Sequence, residues 1–440
     1  MNKSFFLREI IALQKKGVPR GICSICSSNP CVIEATIKHA QKNEQTVLIE
    51  ATSNQVNQYG GYTGMTPPDF RDFVYSAAER AGFPCEKIIL GGDHLGPNPF
   101  QHEKSSSAME KARVMIEQFV SAGFTKIHID TSMPLGDDPG KEEGIIDPSV
   151  IADRCARLCG AAEEACKNGE EKYLKTEHPV YVIGTEVPVP GGSDEVEEGI
   201  KVTSVSDFRN TVSITKGAFV KNNLKDAWDR VIAVVVQPGV EFGDHSVIEY
   251  DRKKAGKLKR AIREYDAIIF EAHSTDYQTA SKMKQMVEDG FAILKVGPAL
   301  TFALREALFI LCFIENELFK ADEISGFSNF MQVVDTVMRN RPEYWEKYYP
   351  GDEFKRAFAR KYSLFDRIRY YMPDRTVKTA FNKLINNLKG KTIPLSLLSQ
   401  FMPGQYRKIR NGLLVNDPEE LLRDKIINVI ADYSYAAGND

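Results

Sequence analysis

Short apolar stretches alternate with helix-like segments along this chain, and the alternation repeats about eight times. Each apolar stretch is rich in Val and Ile, is bounded by turn residues and ends in polar or charged residues. The stretches are 21–27, 46–53, 87–94, 126–132, 181–187, 232–239, 267–274 and 292–299. Continuous apolar runs of this length are typical of strands buried on both faces, as in parallel sheets. Eight strand–helix units predict an α/β fold, a (β/α)8 barrel of the TIM type.

The segments between the strands carry the marks of helix ends. Asn29-Pro30 places a proline at the first position of a helix, and Thr66-Pro67-Pro68-Asp69 opens another. Further helices are predicted at 105–122, 148–168, 205–223, 251–264, 276–289 and 302–319. Strand–helix alternation also fits an open doubly wound sheet. Eight units, and no G-x-G-x-x-G after the first strand, favour the closed barrel.

The chain is longer than a barrel requires. It has 440 residues, whereas a barrel takes roughly 250 to 300. We therefore assign 1–320 to the barrel and 321–440 to a helical C-terminal region packed on it, with clear helical periodicity at 376–388 and 418–436. The basic and aromatic stretch at 356–373 could bind nucleic acid. A helix with an aromatic inner face and a solvated Arg/Lys face is favoured, since the net charge is only −3.

Composition and charge patterning indicate the compartment in which we expect the protein to work. The first segment mixes Lys and Arg with apolar positions, which predicts an amphipathic helix that caps the barrel floor and not a signal peptide. No apolar run is long enough to span a membrane. Eight scattered cysteines indicate a reduced, cytoplasmic protein. Cys23 and Cys26 lie within the first strand, so we interpret their C-x-x-C as packing, because a redox pair needs a helix N-terminus and a zinc site needs a second pair.

Polar residues occupy the strand ends, where (β/α)8 barrels place their chemistry. These residues are Ser27, Glu50, Asp93, His94, Asp130, Glu186, Gln237, Glu271, His273 and Lys295. An apolar strand gains nothing from a carboxylate at its tip, so the repetition predicts a converging polar site. Three long connections, at 54–66, 133–147 and 188–204, follow strand ends on the same face, where barrel enzymes carry lids and binding loops.

Asp93-His94, within the sequence GGDHLGP, is the sharpest local motif. The two preceding glycines would let a ligand approach the backbone closely. On a strand the two side chains point to opposite sides, so one should face the pore and the other the rim. A lone histidine is more often structural, but Glu186 and His273 lie at other strand ends. We therefore predict a divalent metal site, with Zn2+ as the first candidate and His94, Glu186 and His273 as ligands.

Lys295 in the last strand has three open roles. It could bind a phosphate or the substrate, form a structural ion pair, or act as a Schiff-base lysine. The segment from Gly297 to Thr301 leads into a helix, which suggests backbone N–H donors for a phosphate, as in barrels that bind phosphate after strands seven and eight. Neither G-x-x-x-x-G-K-[ST] nor G-x-S-x-G is present, so neither a P-loop kinase nor a nucleophile-elbow enzyme is supported.

Long motifs over nearly the whole chain closely resemble the Z subunits of class II D-tagatose-1,6-bisphosphate aldolase. They are GICSICSSNP, VLIEATSNQVNQYGGYTGMTP, IILGGDHLGPNPF, GTEVPVPGG, VVVQPGVEFG, FEAHSTDYQT, ILKVGPALTFALREA, EYWEKYY, YSLFDRIRYY and IPLSLLSQFMP. The resemblance implies a protein of galactitol, tagatose or N-acetylgalactosamine breakdown that supports a separate, zinc-dependent catalytic Y subunit. Relatives act as metal-dependent 4-epimerases of ketohexoses, their 6-phosphates or hexuronates. Some carry the label tagatose-6-phosphate kinase, which the missing phosphate loop does not support.

The resemblance also suggests residue roles. Class II aldolases carry an Asp-His pair after a barrel strand, in which the aspartate transfers a proton and the histidine binds the metal. Asp93 and His94 match that pair. Those aldolases use further histidines on later strands, and His273 could be one. Strand six departs from the pattern, because it ends in Gln237 where a histidine would be wanted.

We favour the first of three functions, and the second is its main alternative. The chain is the Z component of the aldolase, or a self-sufficient metal-dependent 4-epimerase that breaks and re-forms the C3–C4 bond of a ketohexose or its 6-phosphate, or a scaffold with a fossil site. In both active cases Asp93 is the candidate base, with Glu50 or Glu271 as the alternative. Residues expected to bind the sugar phosphate are Ser27, Asn54, Asp130, Gln237, Lys295, Gly297 and Thr301. The chain could also form a homo-oligomer, whereas nucleic-acid and membrane partners are not expected.

Overall fold

Eight parallel strands close into a barrel in the computed structural model, which describes residues 3–139, 141, 146–168, 178–184, 200–320 and 323–439. The barrel strands are β1 (Ile22–Cys26), β2 (Val47–Thr52), β3 (Ile88–Leu95), β4 (Lys126–Ile129), β5 (Val180–Ile183), β6 (Val231–Val235), β9 (Ile269–Ala272) and β10 (Phe291–Val296). A small antiparallel hairpin of β7 (Glu241–Phe242) and β8 (Val247–Ile248) follows β6. Each barrel strand pairs with the next along the chain, and β1 closes the ring against β10. The predicted (β/α)8 barrel is confirmed.

Helices surround the strands. Those that accompany the barrel are α1 (Lys3–Lys15), α2 (Pro30–Lys42), α3 (Pro67–Ala81), α4 (Ser105–Ser121), α5 (Pro148–Asn168), α6 (Val205–Lys221), α7 (Lys225–Trp228), α8 (Arg252–Ala261), α9 (Ala280–Glu288) and α10 (Pro298–Leu318). Two predicted starts are wrong. The helix expected from 276 begins at Ala280, because the Thr279 side chain caps it by accepting from the Lys282 amide. The helix expected from 302 begins at Pro298, since a proline fits the first turn.

Helix α1 packs against the amino-terminal ends of the strands. Its apolar face, formed by Leu7, Ile10 and Ile11, shares one buried cluster with inward-facing residues such as Ile22 and Leu48. These side chains fill the lower part of the barrel, and the cavity described below lies at the carboxyl ends of the strands. The amphipathic pattern of the first segment produces this arrangement, because one apolar stripe needs a partner surface.

The C-terminal region consists of helices that pack on the barrel. They are α11 (Phe330–Asn340), α12 (Glu353–Tyr362), α13 (Arg375–Leu388), α14 (Leu395–Phe401), α15 (Pro403–Arg410) and α16 (Pro418–Ala436). Helix α16 contacts α2, α9 and α10 and therefore lies within the outer helical layer. A single buried cluster joins barrel residues to Val334, Leu384 and Ile426 of this region. The exact boundary near residue 320 stays a prediction.

The basic and aromatic stretch at 356–373 folds differently from the expectation. It is not one helix with a solvated Arg/Lys face, because α12 ends at Tyr362 and its arginines turn inward. Arg360 is 2% exposed, pairs with Asp335 at 2.7 Å and lies over the ring of Trp345. Phe354 of the same helix is 83% exposed. Arginine turns inward here because its planar cation can stack on aromatic rings while it keeps a carboxylate partner.

Within the described ranges, no helix combines the length and the apolar character that crossing a bilayer requires.

Candidate metal centre and substrate cavity

A bulge at the end of β3 turns Asp93 and His94 toward the same centre. The pairing between β3 and β4 shifts between Gly92 and Leu95, because β3 carries an extra residue there. His94 has a φ of 47°, a left-handed conformation that is uncommon for residues with a Cβ. A bulge bends a strand and changes the direction of its side chains. The expectation that the two side chains face opposite sides is therefore wrong.

The two glycines before this pair make room for protein side chains. A Cβ on Gly91 would lie 2.6 Å from Oε1 of Glu50, and a Cβ on Gly92 would lie 2.4 Å from Cδ1 of Leu95. These positions are already filled from within the protein. The expectation that a ligand approaches the backbone here is contradicted.

Three histidines and one aspartate meet in the mouth of the barrel. Asp93, His94, His128 and His273 each offer one ligand atom, and these atoms all lie within 4.8 Å of one another. The centroids of the three imidazole rings are 4.8, 5.0 and 5.2 Å apart. All four side chains are buried. Imidazole nitrogens and a carboxylate at this spacing suit a divalent metal such as Zn2+. We call these four residues the histidine cluster.

His128 is the member of the histidine cluster that the sequence analysis missed. Only Asp130, at the tip of that strand, was considered there. Lys126, His128 and Asp130 alternate with isoleucines, and a strand turns every second residue to the same face. That alternation is the signal that could have identified His128. Glu186, a predicted metal ligand, lies outside the described residues.

His94 and His273 each have one ring nitrogen hydrogen-bonded to a carboxylate outside the histidine cluster. Nδ1 of His94 lies 2.7 Å from Oδ2 of Asp130, and Nε2 of His273 lies 2.9 Å from Oε1 of Glu271. A carboxylate that accepts from one nitrogen fixes the ring and leaves the other nitrogen as a ligand. Asp130 and Glu271 therefore orient the two histidines, a role that the sequence did not suggest for either.

Two observations support the fit of a cation to this cluster. Nε2 of His128 is buried and has no hydrogen-bond partner in the described part of the chain, although buried polar atoms are normally satisfied. In addition, among the described residues the four carboxylates Glu50, Asp93, Asp130 and Glu271 are accompanied by two lysines, Lys126 and Lys295. The carboxylates thus outnumber the lysines by two, and a divalent cation bound by three neutral histidines would balance that difference.

Below the histidine cluster, two lysines and two glutamates form a buried network. Nζ of Lys126 lies 2.6 Å from Oε1 of Glu50 and 2.5 Å from Oε2 of Glu271, and all three side chains are fully buried. Lys295 donates to Oε2 of Glu50 and lies 2.8 Å from Oδ1 of Asp93. Both alternative bases, Glu50 and Glu271, are thus engaged by lysines. Asp93 alone among the three belongs to the histidine cluster.

These neighbours set the protonation states. Burial would raise the pKa of Asp93, but the charges of Lys295 and His94 hold it well below its ordinary value. Burial lowers the pKa of His273 to about 3, although Glu271 opposes the shift. For His94, burial acts downward, yet Asp93 and Asp130 raise its pKa overall. At neutral pH Asp93 is therefore an anion and His273 a neutral ligand, as metal coordination requires.

A cavity of about 600 Å³ opens from the cluster toward the C-terminal region. Its lining includes the buried residues Asp93, His94 and His273, at what we call the inner end, and the half-buried Arg369 and exposed Lys378 of the C-terminal region, at what we call the outer end. A cavity of this size is typical of sites for small molecules. The substrate space is thus bounded by two parts of the chain that are far apart in sequence.

Several residues predicted to bind substrate line this cavity. They are Ser27, Asn54, Lys295, Gly297 and Thr301. Asp130 is instead held behind His94, and Gln237 accepts from the amides of Gly239 and Val240, which makes it a loop-forming residue. Thr301 donates to Asp366, so its hydroxyl already has a partner.

The predicted phosphate site at the start of α10 is already filled by a carboxylate. The amides of Gly297 and Ala299 donate to Oδ1 of Asp276 at 3.0 and 2.8 Å. Burial raises the pKa of Asp276 to about 6, against the effect of these amides. Lys295 is a charged member of the ion-pair network, where burial acts downward but Asp93 and other acids raise its pKa well above the ordinary value. The structure therefore favours the ion-pair role of Lys295 over a phosphate or Schiff-base role.

The two cysteines of the C-x-x-C lie on different faces of β1. Cys23 packs against the apolar core, as interpreted from the sequence. Cys26 lines the cavity instead, with Sγ 3.7 Å from Oδ2 of Asp93. Burial raises the pKa of both thiols well above the ordinary value. Both are free, so neither a disulfide nor an activated thiolate is formed here.

Comparisons with known proteins give a family match and similar solved structures. A family model described as "D-tagatose-1,6-bisphosphate aldolase subunit GatZ/KbaZ-like" matches residues 7–438. A crystal structure of a probable tagatose 6 phosphate kinase from Sinorhizobium meliloti 1021 is 45% identical, covers 95% of this chain and 100% of its own, and gives a TM-score of 0.85.

Two aldolases are far more distant. The fructose-bisphosphate aldolase of Campylobacter jejuni is 14% identical over 88% of this chain and 92% of its own, with a TM-score of 0.46. The YdjI aldolase of Escherichia coli K12 is 10% identical over 86% and 96%, with a TM-score of 0.41. Neither likeness is strong enough to bear on the function of this chain.

Proposed function

Because the chain belongs to the GatZ/KbaZ-like family of D-tagatose-1,6-bisphosphate aldolase subunits, we propose that it performs aldol-type chemistry on a ketohexose or ketohexose phosphate at a metal centre of its own. The reaction we propose is 4-epimerisation, by cleavage and re-formation of the C3–C4 bond. The cofactor is a divalent metal, with Zn2+ as the first candidate.

The histidine cluster at the inner end of the cavity is the observation that carries this proposal. A chain that only stabilised a partner would have no need for three buried histidines, each within reach of the same point. Nor would it need carboxylates that orient two of them. A metal held by His94, His128 and His273 would act as a Lewis acid on the oxygens of the sugar.

Asp93 is the proposed base. It takes the proton of the C4 hydroxyl as the C3–C4 bond breaks, so that C4 becomes an aldehyde and the bonding electrons pass into an enediolate over C2 and C3. Rotation of the aldehyde and the reverse step, in which Asp93 returns the proton, give the C4 epimer. No oxidant or reductant is consumed. A well-placed general base contributes about 10² to 10⁴-fold to such a reaction.

The two oxygens of Asp93 have different surroundings. Oδ1 is 2.8 Å from both Nδ1 of His128 and Nζ of Lys295. Among the described residues, Oδ2 lies 3.7 Å from Sγ of Cys26 and 3.9 Å from Nε2 of His94, and no lysine pairs with it. Oδ2 is therefore the oxygen that can accept a proton from a substrate, while Lys295 and His128 hold the carboxylate in place.

The test is an assay of the purified, metal-loaded chain alone on fructose 6-phosphate, tagatose 6-phosphate and the free sugars. Formation of the C4 epimer by wild type, and its loss in Asp93→Asn with metal content unchanged, is the expected result. Asp229→Asn, at an exposed turn, serves as the matched control. Near-normal turnover by Asp93→Asn would remove Asp93 as the base.

A second function is supported by the family match. As a Z component, the chain would raise the activity or stability of a catalytic Y subunit that acts on tagatose 1,6-bisphosphate. Repeating the assay with tagatose 1,6-bisphosphate and the Y subunit distinguishes epimerisation from the subunit role. Release of trioses that occurs only when Y is present favours the subunit role. If Y is stimulated equally by Asp93→Ala and by wild type, the chain acts as a scaffold.

A further inference from the structure

The cavity carries cations that the metal centre does not use. Lys126 and Lys295, deep in the barrel, are both paired with carboxylates. Arg369 and Lys378 line the outer end of the same cavity. In the part of the chain that the structure describes, neither of these two forms an ion pair with a carboxylate. Cations that lack a carboxylate partner and face a substrate cavity are available to an anionic ligand.

Arg369 is held in place by neutral groups. Its Nη1 donates to the carbonyls of Phe365 and Asp366, and its Nη2 donates to the Tyr370 hydroxyl at 3.2 Å. The guanidinium also lies over the Tyr370 ring, 4.7 Å from its centroid. A guanidinium has five N–H donors, so these three hydrogen bonds leave two for a ligand. The cation is thus fixed in direction. Asp366 and Asp276 act on it electrostatically, but among the described residues no carboxylate lies within ion-pairing distance of it.

The pKa of Tyr370, whose ring lies beside Arg369, reflects the positive charge around it. Burial acts to raise the pKa of Tyr370, yet the charges of Arg369 and Arg367 hold it below its ordinary value. Tyr370 also contacts Tyr62 from the loop after β2, with ring centroids 4.7 Å apart. This contact joins the C-terminal region to the barrel at the outer end of the cavity.

We propose that Arg369 and Lys378 form the subsite for the phosphate group of the substrate, at the outer end of the cavity. The inference rests on the proposed function and specifies its substrate as a phosphorylated ketohexose. The phosphate binds to the C-terminal region and not to the start of α10, because the backbone amides there already donate hydrogen bonds to Asp276. A planar guanidinium and a mobile ammonium together suit a phosphate, which offers three acceptor oxygens.

The test is calorimetric titration of the metal-loaded chain with fructose 6-phosphate, fructose and a ketohexuronate, at low and moderate salt. Lys378→Met should weaken binding of the sugar phosphate by about tenfold or more, since hydrogen bonds to charged groups contribute at that level, and should leave fructose unchanged. Arg375→Met, an exposed change on the same helix, should alter neither. Arg369→Gln should reproduce the selective loss and, if it lowers stability, Lys378→Met still decides.

Equal affinities of wild type for fructose and its phosphate, or equal losses for both in Lys378→Met, would overturn the subsite. A selective loss for the ketohexuronate, with the phosphate unaffected, would also overturn it and assign the cations to a carboxylate. Failure of the subsite can be distinguished from failure of the proposed function. Turnover without phosphate selectivity refutes only the subsite, whereas selective phosphate binding without turnover refutes only the catalytic role.

Discussion

Replacing Lys126 by Met tests whether the buried charge network is the structural basis of the site. Its ammonium lies 2.6 Å from Glu50 and 2.5 Å from Glu271, and none of the three side chains is exposed. Methionine has a similar length but no charge, so two buried carboxylates would keep Lys295 as their only cation. Removing one partner of a buried ion pair costs about 3–5 kcal/mol. We expect a loss of that size in the free energy of unfolding at pH 7.

The loss should depend on pH with a definite sign. Burial alone would raise the pKa of Glu271, but Lys126 and Lys295 hold it well below its ordinary value. A group whose pKa is lowered by folding contributes stability above its unfolded pKa, and that contribution disappears as the pH falls. Without Lys126 the contribution shrinks. The difference between wild type and Lys126→Met should therefore stay constant from pH 7 down to about 4.3, the ordinary pKa of a glutamate, and should narrow as the pH falls below that value.

Urea unfolding at several pH values measures this difference, and two further variants make the result specific. Lys254→Met, at an exposed position, should change stability by no more than about 0.5 kcal/mol. Lys126→Met combined with Glu271→Gln should recover part of the loss, because the uncompensated carboxylate is removed with its partner. If Lys126→Met matches the exposed control, or if the double variant is no better than the single one, the network does not act as described.

Three further predictions concern the histidine cluster and its support. His128→Ala should lower zinc content strongly by elemental analysis, whereas His245→Ala, at a side chain that is 60% exposed, should not; full zinc content in the first variant would exclude His128 as a ligand. Asp130→Ala should weaken zinc affinity by about 10 to 100-fold in a competition assay, as for other carboxylates behind metal-bound histidines, and an unchanged affinity would contradict its orienting role. Gly96→Ala should lower the melting temperature, because its Cβ would lie 1.7 Å from the Asp130 carbonyl oxygen, while Gly217→Ala in open space should not; equal melting temperatures would refute the clash.

The barrel was predictable because its pattern is local and repeated. Each strand is an apolar run bounded by turn residues, and each of the eight predicted runs overlaps a barrel strand in the described part of the chain. The starts of α9 and α10 were not predictable, because a threonine cap and a proline compete with helical periodicity there.

The candidate site was predictable only in part. Asp93, His94 and His273 stand at strand ends, where the fold itself gathers them. The common orientation of Asp93 and His94 depends on a bulge that a strand pattern does not reveal. Arg369 reaches the cavity only because the C-terminal region folds back over the barrel, and no spacing in the sequence records a contact over that distance.

The central claim is that His94, His128 and His273 hold a catalytic metal beside Asp93. The most direct measurement is anomalous X-ray scattering at the zinc edge from crystals of the purified chain supplied with Zn2+. The account predicts one strong peak about 2.0–2.1 Å from a nitrogen of each histidine, the usual Zn–N distance. A peak elsewhere in the molecule, or full zinc loading with no peak among these three rings, would contradict it.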